Sequence, residues 1–113
     1  MGAVSEEELE WPPPAARLRA ALWRAESHLE RREYAAASRA LAEVFELVGA
    51  DELELLHGLY HLAAAGYKGQ TGHPTRGRRQ LAHARRRLAA YCPTHRELDL
   101  TTLLDRVERD LGS

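Results

Sequence analysis

Apolar residues return along this chain every three or four positions, the spacing that lines up one face of an α-helix. Leu18, Ala21, Leu22, Ala25 and Leu29 predict a first helix over 15–30, broken by the polar run "ERRE". Tyr34, Ala37, Leu41, Val44, Phe45 and Val48 then predict a second helix over 34–48, with Gly49 as a left-handed cap. Asp51 offers an N-cap for a third helix over 51–68, whose inner arc is Leu55, Leu56, Leu59, Leu62, Ala63 and Gly66. Gly69, Gly72 and Pro74 make the next turn, and Pro74 suits the first turn of a fourth helix over 74–90. That helix has its buried line along Gly77, Leu81, Ala84 and Leu88. "YCPTHREL" breaks the pattern again, after which Asp99 caps a last helix with Leu100, Leu103, Leu104, Val107 and Leu111 inside.

Five helices on short connections predict an all-α fold: a single compact five-helix bundle of antiparallel helical hairpins. Residues 1–13, acidic and then proline-rich in "EEELEWPPP", read as an N-terminal arm, and residues 14–113 as the single helical domain. The first two helices, "AESHLERREYAAASRAL", have the geometry of a tetratricopeptide hairpin, with small residues where helices approach closely. No repeat of fixed period accompanies it.

Composition narrows the class further. The chain has 113 residues, room for one core but not for a separate substrate domain. It is 44% hydrophobic but only 6% aromatic, and its apolar residues are mostly Ala and Leu, which favour helix over strand. Cys92 is the sole cysteine, so an intrachain disulfide framework is excluded and a reducing cytosol fits. No apolar run approaches the roughly 18 residues of a membrane span. The start "MGAVSEEELE" is acidic where a signal peptide is basic, and Glu6 occupies the position where myristoylation needs Ser or Thr. These features predict a cytoplasmic protein without a membrane partner.

Net charge is −1, yet its distribution is uneven. Between residues 55 and 96 there is no Asp or Glu, while Lys68, Arg76, Arg78, Arg79, Arg85, Arg86, Arg87 and Arg96 supply eight positive charges. The remainder sets eight cations against all 17 acidic residues, a balance of −9. Such polarity suits a polyanionic or acidic partner, or pairing within the chain.

The order "REYAAASRALAEVF", "LLHGLYHLAAAGYK", "TGHPTRGRRQLAHARRRL" resembles a small all-helical bacterial and archaeal family known as domain of unknown function 309, over residues 29–88. The matching positions are Tyr34, Leu41, Gly58, Leu59, Ala63, Gly72, Gly77, Leu81, Ala84 and Leu88. They imply the family's helical fold and no assigned activity. The family's polar signature is replaced: Ser38 and Arg39 stand for its His-Glu pair, Ala42 for a Glu, Phe45 for a Trp, His61 for a Gln and His73 for an Asn. No acid, base or ligand role attached to the family's second-helix carboxylates therefore carries over, and the resemblance implies a divergent member.

Three groupings carry candidate chemistry. Glu54, His57 and His61 fall on one helix face, where two imidazoles and a carboxylate could share a metal ion, with His83 or Glu43 as a further ligand. The plainer expectation is exposed or hydrogen-bonded histidines, and "HGLYH" lacks the Glu beside the first His of the zinc-protease helix. Gly72 and His73 precede a helix start, and Arg76, Arg78, Arg79 and Arg86 follow, a combination able to meet an anion. Neither a Gly-Lys-Ser/Thr ending nor a preceding strand supports a nucleotide loop, so turn geometry and close helix packing also account for the glycines. Internal pairing of the arginines with Glu43, Glu46, Asp51, Glu52, Glu54, Asp105, Glu108 or Asp110 is the alternative. Cys92 and His95 are close in sequence but lack an orienting third group. Trp11 and Trp23 read as packing or interface anchors.

No cofactor motif is present. The favoured expectation is a non-enzymatic module that binds a protein partner or forms a homo-oligomer. The alternatives are a binder of a phosphate-containing ligand or nucleic acid through the arginine-rich helix, with nucleic acid not favoured for want of stacking aromatics, and a metal-dependent enzyme using His57 and His61.

Overall fold

Two prolines mark where the main helices begin. Pro14 has no N–H to lose at a helix start, and α1, Pro14–Glu30, runs from it behind an extended Pro13. The computed structural model describes residues 11–112, so all but the last three residues of the expected arm lie outside the described part. α1 ends with Arg32 in the left-handed region at φ 61°. There the Glu33 N–H donates to the His28 carbonyl at 2.8 Å and the Arg32 N–H to Leu29 at 3.2 Å, two bonds that satisfy the last carbonyls of the helix.

The remaining helices are α2, Tyr34–Ala42; α3, Ala50–Gln70; α4, Pro74–Leu88; and α5, Leu100–Asp110. Together with α1 they form the all-α five-helix bundle that the apolar stripes predict. Single turns of 3₁₀ helix at Phe45–Leu47 and Ala89–Tyr91 follow α2 and α4. A short hairpin precedes α5: β1, Thr94–His95, pairs antiparallel with β2, Leu98–Asp99. Its two turn residues, Arg96 and Glu97, both lie in the left-handed region, at φ 50° and 67°.

Several boundaries differ from the periodicity. The second helix stops at Ala42 rather than continuing to residue 48, in a stretch where Val44, Phe45 and Val48 have weak helix propensity. Unwinding there places the Phe45 ring 5.2 Å from His57 and 5.9 Å from Tyr60 on α3, so tertiary packing takes Phe45 off the α2 stripe. Gly49 is not a left-handed cap: its backbone is extended, φ −84° and ψ −179°, and it precedes α3 as that helix's N-cap. Asp51 consequently sits inside the first turn with Glu52, where carboxylates meet the positive end of the helix dipole. The fourth helix ends at Leu88, tightening into the 3₁₀ turn. Asp99 does cap α5, accepting from the Thr102 N–H at 3.1 Å and from the Thr102 hydroxyl at 2.7 Å. Those bonds hold its carboxyl below the ordinary value of 3.8.

α3 is the axis of the bundle, with Leu55, Leu56, Leu59, Leu62, Ala63 and Gly66 all buried as the arc predicts. Two small positions allow its neighbours in. Gly66 lies under the Tyr34 ring, and a Cβ at Gly77 would stand 2.9 Å from the Ala65 carbonyl oxygen, so α3 and α4 touch backbone to backbone. Tyr34 is 2% exposed and donates its hydroxyl to Asp110 at 3.0 Å. Burial first, then that hydrogen bond and the Asp110 charge, push the phenol well above its ordinary range. Asp110 also meets the Arg32 guanidinium at 2.8 Å, tying the start of α2 to the end of α5. Among the described residues no polar or charged residue is buried, and no helix is long and apolar enough to cross a membrane.

Candidate functional site

The eight cations of the acid-free stretch divide once the helices are packed. Arg85 reaches α5, with Glu108 at 2.9 Å and Asp105 at 3.8 Å. Arg87 reaches back to α3, 2.8 Å from Glu54. Arg96, on the hairpin turn, lies 3.2 Å from Glu52, which also faces the His95 ring at 3.6 Å. Internal pairing therefore takes up three arginines.

Among the described residues it takes up neither Lys68 nor the other four arginines. Among the described residues, Arg76, Arg78, Arg79 and Arg86 are exposed and have no carboxylate partner. Arg76, Arg79, His83 and Arg86 recur at three- and four-residue steps, so they form one stripe opposite the buried line of Gly77, Leu81, Ala84 and Leu88. Arg78 lies to one side, lining a cavity of about 210 Å³ with Leu81, Arg85 and Glu108. Within the stripe Arg86 points its Nη2 at His83 Nδ1, 2.6 Å away. Loss of water around the ring, then the charges of Arg86, His61 and Arg87, hold His83 below its ordinary 6.5, which favours the neutral imidazole, the form that accepts from Arg86.

Gly72 and His73 are engaged in another task. Gly72 takes φ 81° after the end of α3; its N–H goes to the Gly69 carbonyl at 3.4 Å and that of His73 to Lys68 at 2.8 Å. These donors close α3, and Pro74 has none. Thr75 and Arg76 carry the first backbone N–H groups of α4 that remain to face an anion.

The proposed metal ligands are drawn to different partners. Glu54 is bonded to Arg87, whose Nη1 also lies 3.4 Å from His57 Nδ1, so a cation already occupies the space between carboxylate and imidazole. His61 Nδ1 sits 2.7 Å from Gln80 Oε1, and its ring is 5.4 Å from that of His83. Glu43 is paired with Arg24 at 3.3 Å. Among the described residues no group of three or more His, Cys, Asp and Glu side chains is placed to hold a metal ion. Near Cys92, the His95 ring packs 4.9 Å from Tyr91 and faces Glu52.

The sequence marks Trp23 as a packing or interface anchor but not the α1 face around it. Trp23 is 72% exposed and stands on the rim of a groove of about 480 Å³, lined also by Arg19, Leu22, Glu26, Arg96, Glu97 and Leu98. Trp11, expected to dock against its own body or a neighbour, is 87% exposed and so does not pack on this chain. The signal for the α1 face was in the spacing, since Arg19, Trp23 and Glu26 follow one another at helical steps off the leucine stripe. The hairpin that completes the groove had no such signal. Comparison with protein-family models, curated proteins and solved structures gives no match to this chain.

Proposed function

We propose that the chain is a non-enzymatic, protein-binding helical module that associates with a second copy of itself. The observation that carries this reading is Trp23, a large side chain left mostly in water beside an apolar-floored groove. Burying an indole at an interface contributes on the order of 2 kcal/mol or more, and Trp is enriched among residues that dominate binding. Tyr60 and Tyr67, 42% and 46% exposed on α3, add a second surface of the same character. Sedimentation velocity on the full chain from about 1 to 100 µM tests it, the range of a modest interface. The expected result is a mass rising above the 12.7 kDa of one chain, and a constant monomer mass refutes it.

A second reading rests on a separate observation. The carboxylate-free arginines Arg76, Arg78, Arg79 and Arg86 support binding of a phosphate-containing ligand or a nucleic acid through α4, since phosphate oxygens are met well by guanidinium forks. Salt-dependent retention on heparin that is lost in the Arg78→Ala, Arg79→Ala, Arg86→Ala triple variant supports it, and unchanged elution counts against it. The likeness to domain of unknown function 309 is likewise a proposal, resting on the sequence positions Tyr34, Leu41, Gly58, Leu59, Ala63, Gly72, Gly77, Leu81, Ala84 and Leu88. The single cysteine supports placing the protein in the cytoplasm.

A further inference from the structure

Arg19, Trp23 and Glu26 make a pattern on α1 that is complementary to itself. Steps of four and three residues hold the three side chains within one helix face. Halfway between Arg19 and Glu26 is a point half a residue from Trp23, about 0.8 Å along the helix at 1.5 Å per residue. A two-fold axis through that point lays a second α1 antiparallel on the first. It sets Arg19 of each chain opposite Glu26 of the other and brings the two indoles together at the centre.

Resting on the self-association reading, we infer that the α1 face is the homodimer interface, with a second copy of this chain as its occupant and paired Arg19–Glu26 contacts fixing an antiparallel arrangement. Each charge lacks its complement within one chain. Among the described residues Arg19 is exposed and has no ion pair or hydrogen bond. Glu26 is half-buried, and burial, then the neighbouring Glu30 charge, push its carboxyl up against the opposing pull of a hydrogen bond from the Asp99 backbone, so a cation facing it relieves an existing cost. The nearby Arg96 is held by Glu52 at 3.2 Å. Apolar area on the same face is chiefly the Trp23 indole, 72% exposed, and the groove beside it, floored by the buried Leu22 and Leu98, offers the partner's indole a place. A contact in which the same patch serves both sides closes at two copies and does not propagate into a filament.

Charge reversal tests it directly. Sedimentation equilibrium on full-length chains should show Trp23→Ala weakening dimerisation about 30-fold, and Arg19→Glu and Glu26→Arg each weakening it about tenfold. The Arg19→Glu chain carries two carboxylates on this face and the Glu26→Arg chain two guanidinium groups. Mixing the two should restore a heterodimer of near wild-type affinity, as should both reversals in one chain. Circular dichroism and melting temperature confirm that each variant folds; Arg19→Glu and Trp23→Ala change exposed side chains and keep the test valid if Glu26→Arg is unstable. A dimer indifferent to all these changes overturns the interface while self-association stands. A wild-type chain that stays monomeric overturns both, and one that captures a foreign helical peptide through Trp23 instead of its own copy assigns the face to another partner and overturns it too.

Discussion

The two sides of α4 alternate along one short helix, share no residue type and do opposite things. On one side Gly77, Leu81, Ala84 and Leu88 close onto α3 and α5; on the other Arg76, Arg79, His83 and Arg86 stand in solvent with no carboxylate partner among the described residues. Between them Arg85 and Arg87 lie at the flanks and are captured by Glu108 and Glu54. A run of three consecutive arginines thus contributes one side chain to each neighbouring helix and one to the outside. At about 100° per residue, adjacent positions on a helix belong to different environments. The charge of a segment is a poor guide to its electrostatics until its flanks are known.

Substitutions on the two sides should separate the roles. The largest effect is expected from Leu88→Ala, because Leu88 is fully buried against Gly58: about 2–5 kcal/mol of unfolding free energy, read from urea denaturation. Gly77→Ala should cost about 1–3 kcal/mol, since the added methyl meets the Ala65 carbonyl oxygen, which has no side-chain freedom with which to give way. On the flank, Arg87→Gln breaks a pair that is partly open to water on both sides and should cost at most about 1 kcal/mol. Removing Arg78, Arg79 and Arg86 together should leave stability within about 0.5 kcal/mol per site while shifting heparin elution. A stability loss like that of Leu88→Ala would mean that the outer side is structural after all.

The smallest effect is one of pH. His83 binds its proton less readily in the folded chain than in the unfolded one, so stability is full above its ordinary 6.5 and declines as pH falls through that value towards the folded pKa. His83→Gln should flatten that part of a stability-against-pH curve and leave the neutral region unchanged. An identical slope in both proteins would remove His83 from the account.

The sequence carried the fold because the five stripes of Ala and Leu recur at helical spacing and because Pro14, Pro74 and Asp99 mark helix starts by local chemistry alone. It did not carry the end of α2. Whether Phe45 continues that helix or turns away depends on His57 and Tyr60, residues more than ten positions on, and propensity cannot see them. The same limit applies to the candidate site. Arg76, Arg78, Arg79 and Arg86 were legible as a basic group, but their separation from Arg85 and Arg87 rests on pairings that span 23 and 33 residues. Glu54, His57 and His61 share a helix face as their spacing required; what the spacing left out is that Arg87 and Gln80 reach them from α4.

The joint at Gly72 and His73 sets the rotational phase of the whole arrangement. It finishes one helix and starts the next with no slack residue between, its N–H groups already committed. With the start of α4 held in place, one residue inserted there would turn the helix by about 100° about its own axis, moving the leucine line to a flank and a flanking arginine to the core. The length of this elbow, as much as the identity of any arginine, is what keeps the basic stripe facing outward.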